Sequence, residues 1–274
     1  MSARVTVCVL LYGDYPTLAK RCIESILQAA WFDDVNIVVG LNAVAQVTKD
    51  YVYSTLGEYS RAVIVESDSN LRKYPMMREM FYGIGEAAKS DYIMWFDDDT
   101  FLISGSVSRQ ASWLSTLVGQ LGTSPGLLGR AYTIPWLGQQ REWVKSQPWY
   151  NSSTGTAPGK VSFIQGSWWL IQTAVLHKLD YPWLNLSHNG GDSMLGEACR
   201  HAGIKLINYT AGGVAVNADA AGAESAAPRR GVSEPQIGRN SAAASLDQAT
   251  TLLHPSDQLF SVGEHGLQYS PYSP

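Results

Sequence analysis

The chain has 274 residues, 45% of them apolar, a formal charge of −4 and a sequence pI near 5.7. That is enough material for one large α/β domain with an appended segment, and the mild acidity excludes a globally basic nucleic-acid or membrane binder. No apolar run approaches a membrane span, and the start Met-Ser-Ala-Arg runs into a β-like segment without the layout of a signal peptide, so a cytoplasmic protein is expected.

Cys8, Cys22 and Cys199 lie far apart on apolar faces, which predicts packing and no disulfide or zinc site. The sequons at Asn151, Asn185 and Asn208 then carry little weight, because glycan attachment requires secretion.

Taken in chain order, Val5 to Leu11 reads as a buried strand, Gly13-Asp14-Tyr15-Pro16 as a loop, and Leu18, Cys22, Ile26 and Ala30 as one helix face. A second strand, Val35 to Leu41, leads into a helix through Val44, Val47, Tyr51 and Leu56. A third, Ala62 to Glu66, precedes a polar loop and a helix lined by Met77, Phe81, Ile84 and Ala88. The fourth strand, Tyr92 to Phe96, is apolar throughout and ends abruptly in Asp97-Asp98-Asp99. Four strand–helix alternations predict a mostly parallel central sheet flanked by helices, and ligands gather at the carboxyl ends of such strands.

Three adjacent acids repel one another unless a cation joins them, and alternate carboxylates such as Asp97 and Asp99 suit a hard ion, Mn²⁺ or Mg²⁺, that bridges to nucleotide phosphates. No glycine-rich phosphate loop follows the first strand. Arg72, Lys73 and Arg78 are the candidate cations for a diphosphate, against a plain solvated helix start. Tyr12, Asp14 and Asn42 end the first two strands and are candidates to face a base or ribose, beside ordinary loop chemistry.

A helix through Trp113, Leu114, Leu117 and Leu121 precedes a strand around Leu127 to Ile134. The stretch from Pro135 to Gly159, with Trp136, Trp143, Trp149 and Tyr150, reads as a binding loop or a set of core anchors. Val161 to Gln165 reads as a strand entering Gly166-Ser167-Trp168-Trp169, where glycine permits close backbone approach to a ligand. Asp192, after Gly190-Gly191, opens a helix and is either an N-cap or a catalytic group. Lys205 to Tyr209 is a late strand, and from Gly212 to Ala249 an Ala, Gly, Ser and Pro composition marks a flexible insertion. The expected division is 1–110 for the nucleotide half, 111–210 for the acceptor half of the same domain, 211–250 for the insertion and 251–274 for a C-terminal segment.

In this order the features resemble the GT-A fold glycosyltransferases over most of residues 4 to 210. The first half is similar to the large inverting family of that fold through Asp97-Asp98-Asp99, the counterpart of its Asp-x-Asp motif. The second half is similar to fringe-type enzymes through Gly166-Ser167-Trp168-Trp169 and the acidic helix start at Asp192. The resemblance implies that Asp97 or Asp98 contacts ribose, that Asp99 and His254 bind the metal, with His265 the weaker match, and that Asp192 is the general base. It further implies a UDP-sugar donor. Gly191 departs from the pattern, because relatives often carry a second acid there. A nucleotidyltransferase and a noncatalytic sugar-nucleotide-binding module remain alternatives. The acceptor is open among glycans, proteins, small molecules and hydroxymethylated DNA; Arg141, Lys145, Lys160 and Arg229-Arg230 would serve the last.

Overall fold

A computed structural model gives the architecture of the chain and describes residues 3–132, 163–184, 186 and 191–216. The first half winds as β1 (Val5–Tyr12), α1 (Pro16–Leu27), β2 (Asn36–Asn42), α2 (Gln46–Leu56), β3 (Ala62–Ser67), α3 (Lys73–Phe81) and β4 (Tyr92–Asp97). After the short β5 (Thr100–Leu102) come α4 (Ser112–Leu121), β6 (Gly126–Tyr132), β7 (Phe163–Gln172), α5 (Thr173–Leu179), α6 (Gly191–His201), β8 (Lys205–Asn208) and β9 (Val214–Val216).

Seven strands form one sheet in the order β3-β2-β1-β4-β7-β6-β8. Pairings among β3, β2, β1 and β4 are parallel, β7 runs antiparallel to both β4 and β6, and β8 returns parallel to β6. This is the mostly parallel, helix-flanked sheet expected from the sequence, with β7 as its reversed strand. A two-stranded ribbon, β5 with β9, stands beside it, Thr100 pairing with Val216.

Alternation along each strand divides the core. On one face Val7, Val9, Met94, Phe96, Trp168 and Leu170 meet α1, α2 and α4; on the other, Cys8, Leu10, Ile93, Trp95, Trp169 and Ile171 meet α3, α5 and α6. The three cysteines are buried and free.

Several local expectations shift. The buried stripe of α2 is Thr48, Val52 and Leu56, while Val47 is exposed and Val44 precedes the helix. Helix α3 ends at Phe81, and Ile84, expected on its buried face, is 68% exposed. The break falls at Gly83 and Gly85; at Gly85 an added Cβ would collide with the Met80 backbone, so the turn there requires glycine. The Gly166-Ser167-Trp168-Trp169 segment does not follow a strand but lies inside β7, which continues to Gln172. The 133–162 stretch with its tryptophans, and the chain beyond Val216 with His254, His265 and the arginine pair, lie outside the described residues.

Candidate active site

Because β4 alternates, Trp95 and Asp97 point to the same face, the one covered by α3 and α6. Asp97 is therefore held by its own strand: its Oδ1 accepts the Trp95 indole N–H at 2.9 Å. Its Oδ2 pairs with Lys73 Nζ at 2.6 Å, both side chains being largely buried. The ammonium also donates to the Gly166 carbonyl at 3.2 Å, and the Gly166 N–H donates to Asp192 Oδ2 at 3.3 Å. One run of contacts thus links the end of β4, the start of α3, the strand β7 and the start of α6. Burial works against the Lys73 charge, but Asp97, and beyond it Tyr74 and Asp192, hold this lysine protonated above its ordinary range.

Asp98 and Asp99 lie past the strand, in the turn between β4 and β5. Burial, then the neighbouring Asp97 and Asp99 charges, push the Asp98 carboxyl up to about 8, against the opposing pull of Lys73. Asp99 is raised by burial and by Asp97. Thr100, fully buried, donates to the Ser167 carbonyl at 3.1 Å and so fastens this turn to β7.

At Gly166, where the sequence suggests room for a ligand, Asp192 approaches: an added Cβ would stand 3.3 Å from the Asp192 Cβ. Gly191 is explained by Tyr74. An added Cβ there would fall 2.5 Å from the Tyr74 hydroxyl and 2.6 Å from its Cε1, so an aromatic ring fills the space beside residue 191. Tyr74, 4% exposed, meets Tyr181 edge-on at 6.2 Å, and burial raises its phenol well above the usual range. Sequence reasoning passed over Tyr74; its place between Lys73 and a proline was the available signal. Trp95 was equally legible as the residue two before Asp97 on one strand face.

Other candidates fall elsewhere. Arg78 turns from the carboxylates to the 180–182 loop, pairing with Asp180 Oδ1 at 2.9 Å and donating to the Pro182 carbonyl at 2.8 Å, with Tyr82 under its guanidinium. Asn42 is 1% exposed and spends its amide on the 70–72 loop rather than facing a ligand. Trp168 is 2% exposed, stacked on Trp113 and tilted against Tyr209 on the face opposite Asp192, which makes it a core residue. It also lines a cavity of about 380 Å³ with Arg130, Gln165, Ser167 and Tyr209. Tyr12 meets Asn70 through its hydroxyl, while Asp14 and Arg72 are exposed at the carboxyl edge of the sheet.

Among the described residues no three side chains of metal-ligand type converge. Asp97 has one contact at each oxygen and Asp99 accepts from the Thr100 hydroxyl at 3.3 Å, which leaves lone pairs for a cation on each carboxylate. Crowding of three acids against one ammonium is the charge imbalance that a hard divalent ion relieves, and such an ion is commonly held by one or two carboxylates plus water and substrate phosphates. The donor set fits Mg²⁺ or Mn²⁺ on that basis.

The fold is similar to those of solved glycosyltransferases, which supports a GT-A-like arrangement. The mannosyltransferase PcManGT from Pyrobaculum calidifontis, in complex with GDP-Man and Mn²⁺, is similar with a TM-score of 0.53 at 15% identity, over 76% of this chain and 55% of that one. S. aureus TarS 1-349 in complex with UDP gives 0.50 at 11% identity, over 77% and 59%. The chain therefore spans somewhat more than half the length of these structures. No protein-family model matches it, and no curated protein matches it in sequence. Among the described residues no helix is long and apolar enough to cross a membrane.

Proposed function

We propose that the chain is a metal-dependent, inverting glycosyltransferase that moves a sugar from a nucleoside diphosphate sugar to an acceptor hydroxyl. The observation that carries this is the contact run Asp97–Lys73–Gly166–Asp192, which joins a crowded carboxylate turn to a second acid at a helix start. A divalent cation at Asp99 would neutralise charge on the departing diphosphate. His254, the other expected ligand, belongs to the chain beyond the described residues.

In this reading Lys73 neutralises Asp97 and fixes the spacing between the two acids, leaving Asp99 for the cation. Arg72, exposed beside them, meets the diphosphate. Asp192, aimed by the Gly166 N–H, takes the proton of the acceptor hydroxyl as its oxygen bonds to the anomeric carbon. The bond from that carbon to the phosphate oxygen breaks on the opposite side, the nucleoside diphosphate leaves, and the configuration inverts. Neighbouring structures hold GDP-Man and UDP, so the donor panel must include both bases; UDP is our choice from the family resemblance.

The test is calorimetric titration with UDP-sugars and GDP-mannose, with Mn²⁺, Mg²⁺ or chelator, followed by transfer assays on the donor that binds. A positioned base contributes about 10² to 10⁴ in rate, so Asp192→Asn should lose transfer by that factor while binding donor normally. Transfer near the wild-type rate in that variant would remove Asp192 from the mechanism. Release of pyrophosphate instead of a nucleoside diphosphate would replace the reading with nucleotidyl transfer.

A further inference from the structure

Arg72 occupies a backbone conformation, φ 71° and ψ 171°, that is essentially reserved for glycine. Such strain persists only where the surroundings over-determine it, and here the determinants are specific. Asn42, buried at the end of β2, accepts the Leu71 N–H through Oδ1 at 2.8 Å. Its Nδ2 donates to the Arg72 carbonyl at 3.3 Å and to Asn70 Oδ1 at 3.2 Å. Asn70 Oδ1 in turn accepts the Arg72 N–H at 2.8 Å, and its Nδ2 donates to the Tyr12 hydroxyl at 3.3 Å. Tyr12 and Asn42 are register partners on β1 and β2, so both anchors stand on the rigid edge of the sheet.

The frame grips the N–H and the carbonyl of residue 72, so neither φ nor ψ can relax without breaking one of these bonds. Glycine would satisfy the same frame unstrained. An arginine there is explained by its side chain, which is exposed at the sheet edge beside Lys73, the residue paired to Asp97. We propose that Asn42 and Asn70, standing on Tyr12, are positioning residues that hold Arg72 in this conformation so that its guanidinium meets the diphosphate of the donor. The inference rests on the glycosyltransferase reading above and assigns these two asparagines, neither of which would touch the donor, to its binding step.

The experiment measures binding of UDP, GDP and UMP with Mn²⁺, alongside melting temperature, in the full chain and in Arg72→Gly, Asn42→Ala and the double variant. Asn70→Ala, which removes the half-buried member of the frame, replaces Asn42→Ala should the latter fail to fold. Arg72→Gly should raise the melting temperature by about 2–4 °C, strain relief exceeding the cost of a freer unfolded chain. The same variant should weaken diphosphate binding about tenfold to a hundredfold, the usual range for losing a charge-assisted contact, and leave UMP within about twofold. Asn42→Ala should show a diphosphate loss of the same kind, and the double variant should bind no worse than Arg72→Gly, since both changes remove one contact. Losses that multiply in the double variant, equal losses for UMP, or a lower melting temperature in Arg72→Gly would overturn the proposal. Wild-type protein binding neither diphosphate would sink the donor reading itself; wild-type binding that Arg72→Gly leaves unchanged would sink only the positioning claim.

Discussion

Replacing Gly191 by alanine adds one methyl group at a place with no room for it. The new Cβ would lie 2.5 Å from the Tyr74 hydroxyl and 2.6 Å from Cε1, well inside van der Waals contact. Tyr74 has nowhere to retreat: it is 4% exposed and meets Tyr181 edge-on. Overpacking of this kind costs about 1–3 kcal/mol, and in a chain of this size each kcal/mol lowers the melting temperature by about 2–4 °C. The softer response is a shift of the start of α6, which would open the 3.3 Å contact between Gly166 and Asp192. Thermal and urea unfolding of Gly191→Ala should therefore show a loss of about 1–3 kcal/mol. In a Tyr74→Ala background, where the ring is gone, the same alanine should cost within about 0.5 kcal/mol of nothing. An equal penalty in both backgrounds, or no penalty in either, would refute the claim that the Tyr74 ring is what requires glycine at this helix start.

Asp99→Ala should abolish the metal dependence of donor binding; a titration in which chelator still weakens the variant as it weakens wild type would exclude Asp99 as the ligand. Arg78→Ala removes the clamp on the 180–182 loop and should lower stability by about 1.5–3 kcal/mol in urea unfolding, while donor affinity stays at the wild-type value. Lys49 lowers both Glu66 and Asp68 below their ordinary values of 4.5 and 3.8. The stability this supplies is present above those values and lost as pH falls through the lowered ones; since the carboxylates are exposed, it is small. Unfolding curves of Lys49→Met below pH 5 should accordingly be flatter than wild type, and an identical acid limb would show that the pairs contribute nothing.

The first half was legible because β1, β2 and β4 are buried on both faces and its helices carry apolar stripes, two periods that a single sequence displays openly. Where it misled, a local packing fact had won. The apolar stripe from Met77 runs on through Ile84 in sequence, but the helix ends at Phe81, ahead of Gly83 and of Gly85, which packs against the Met80 backbone where no other residue fits. Lys73 and Arg78 were grouped as one cationic patch, although five residues along a helix amount to about 140° of rotation beyond a full turn. Only one of them can face the carboxylates, and the other serves the far loop. The second half was harder. Its strand β7 is reversed, and a reversed buried strand carries no sign of its direction in its own residues; Gly166 in its middle looked like the end of an element when it is where α6 comes closest.

The face of a strand also separates carboxylates that the sequence presents as equivalent. Asp97 is the last residue of β4 and inherits the Trp95 side of the sheet, where the half-buried Lys73 meets it at 2.6 Å. Asp98 and Asp99 follow after the strand has ended and share the turn that Thr100 ties to β7. Neighbouring acids of one motif are therefore asymmetric in their contacts: Asp97 pairs with Lys73, which also reaches the Gly166 carbonyl of β7, while Asp99 accepts from the Thr100 hydroxyl at 3.3 Å. This division follows from alternation along β4 and from the Lys73–Asp97 pair. In the mechanism we propose, Lys73 would bear on metal binding without touching the metal, by offsetting the charge of one of three neighbouring carboxylates.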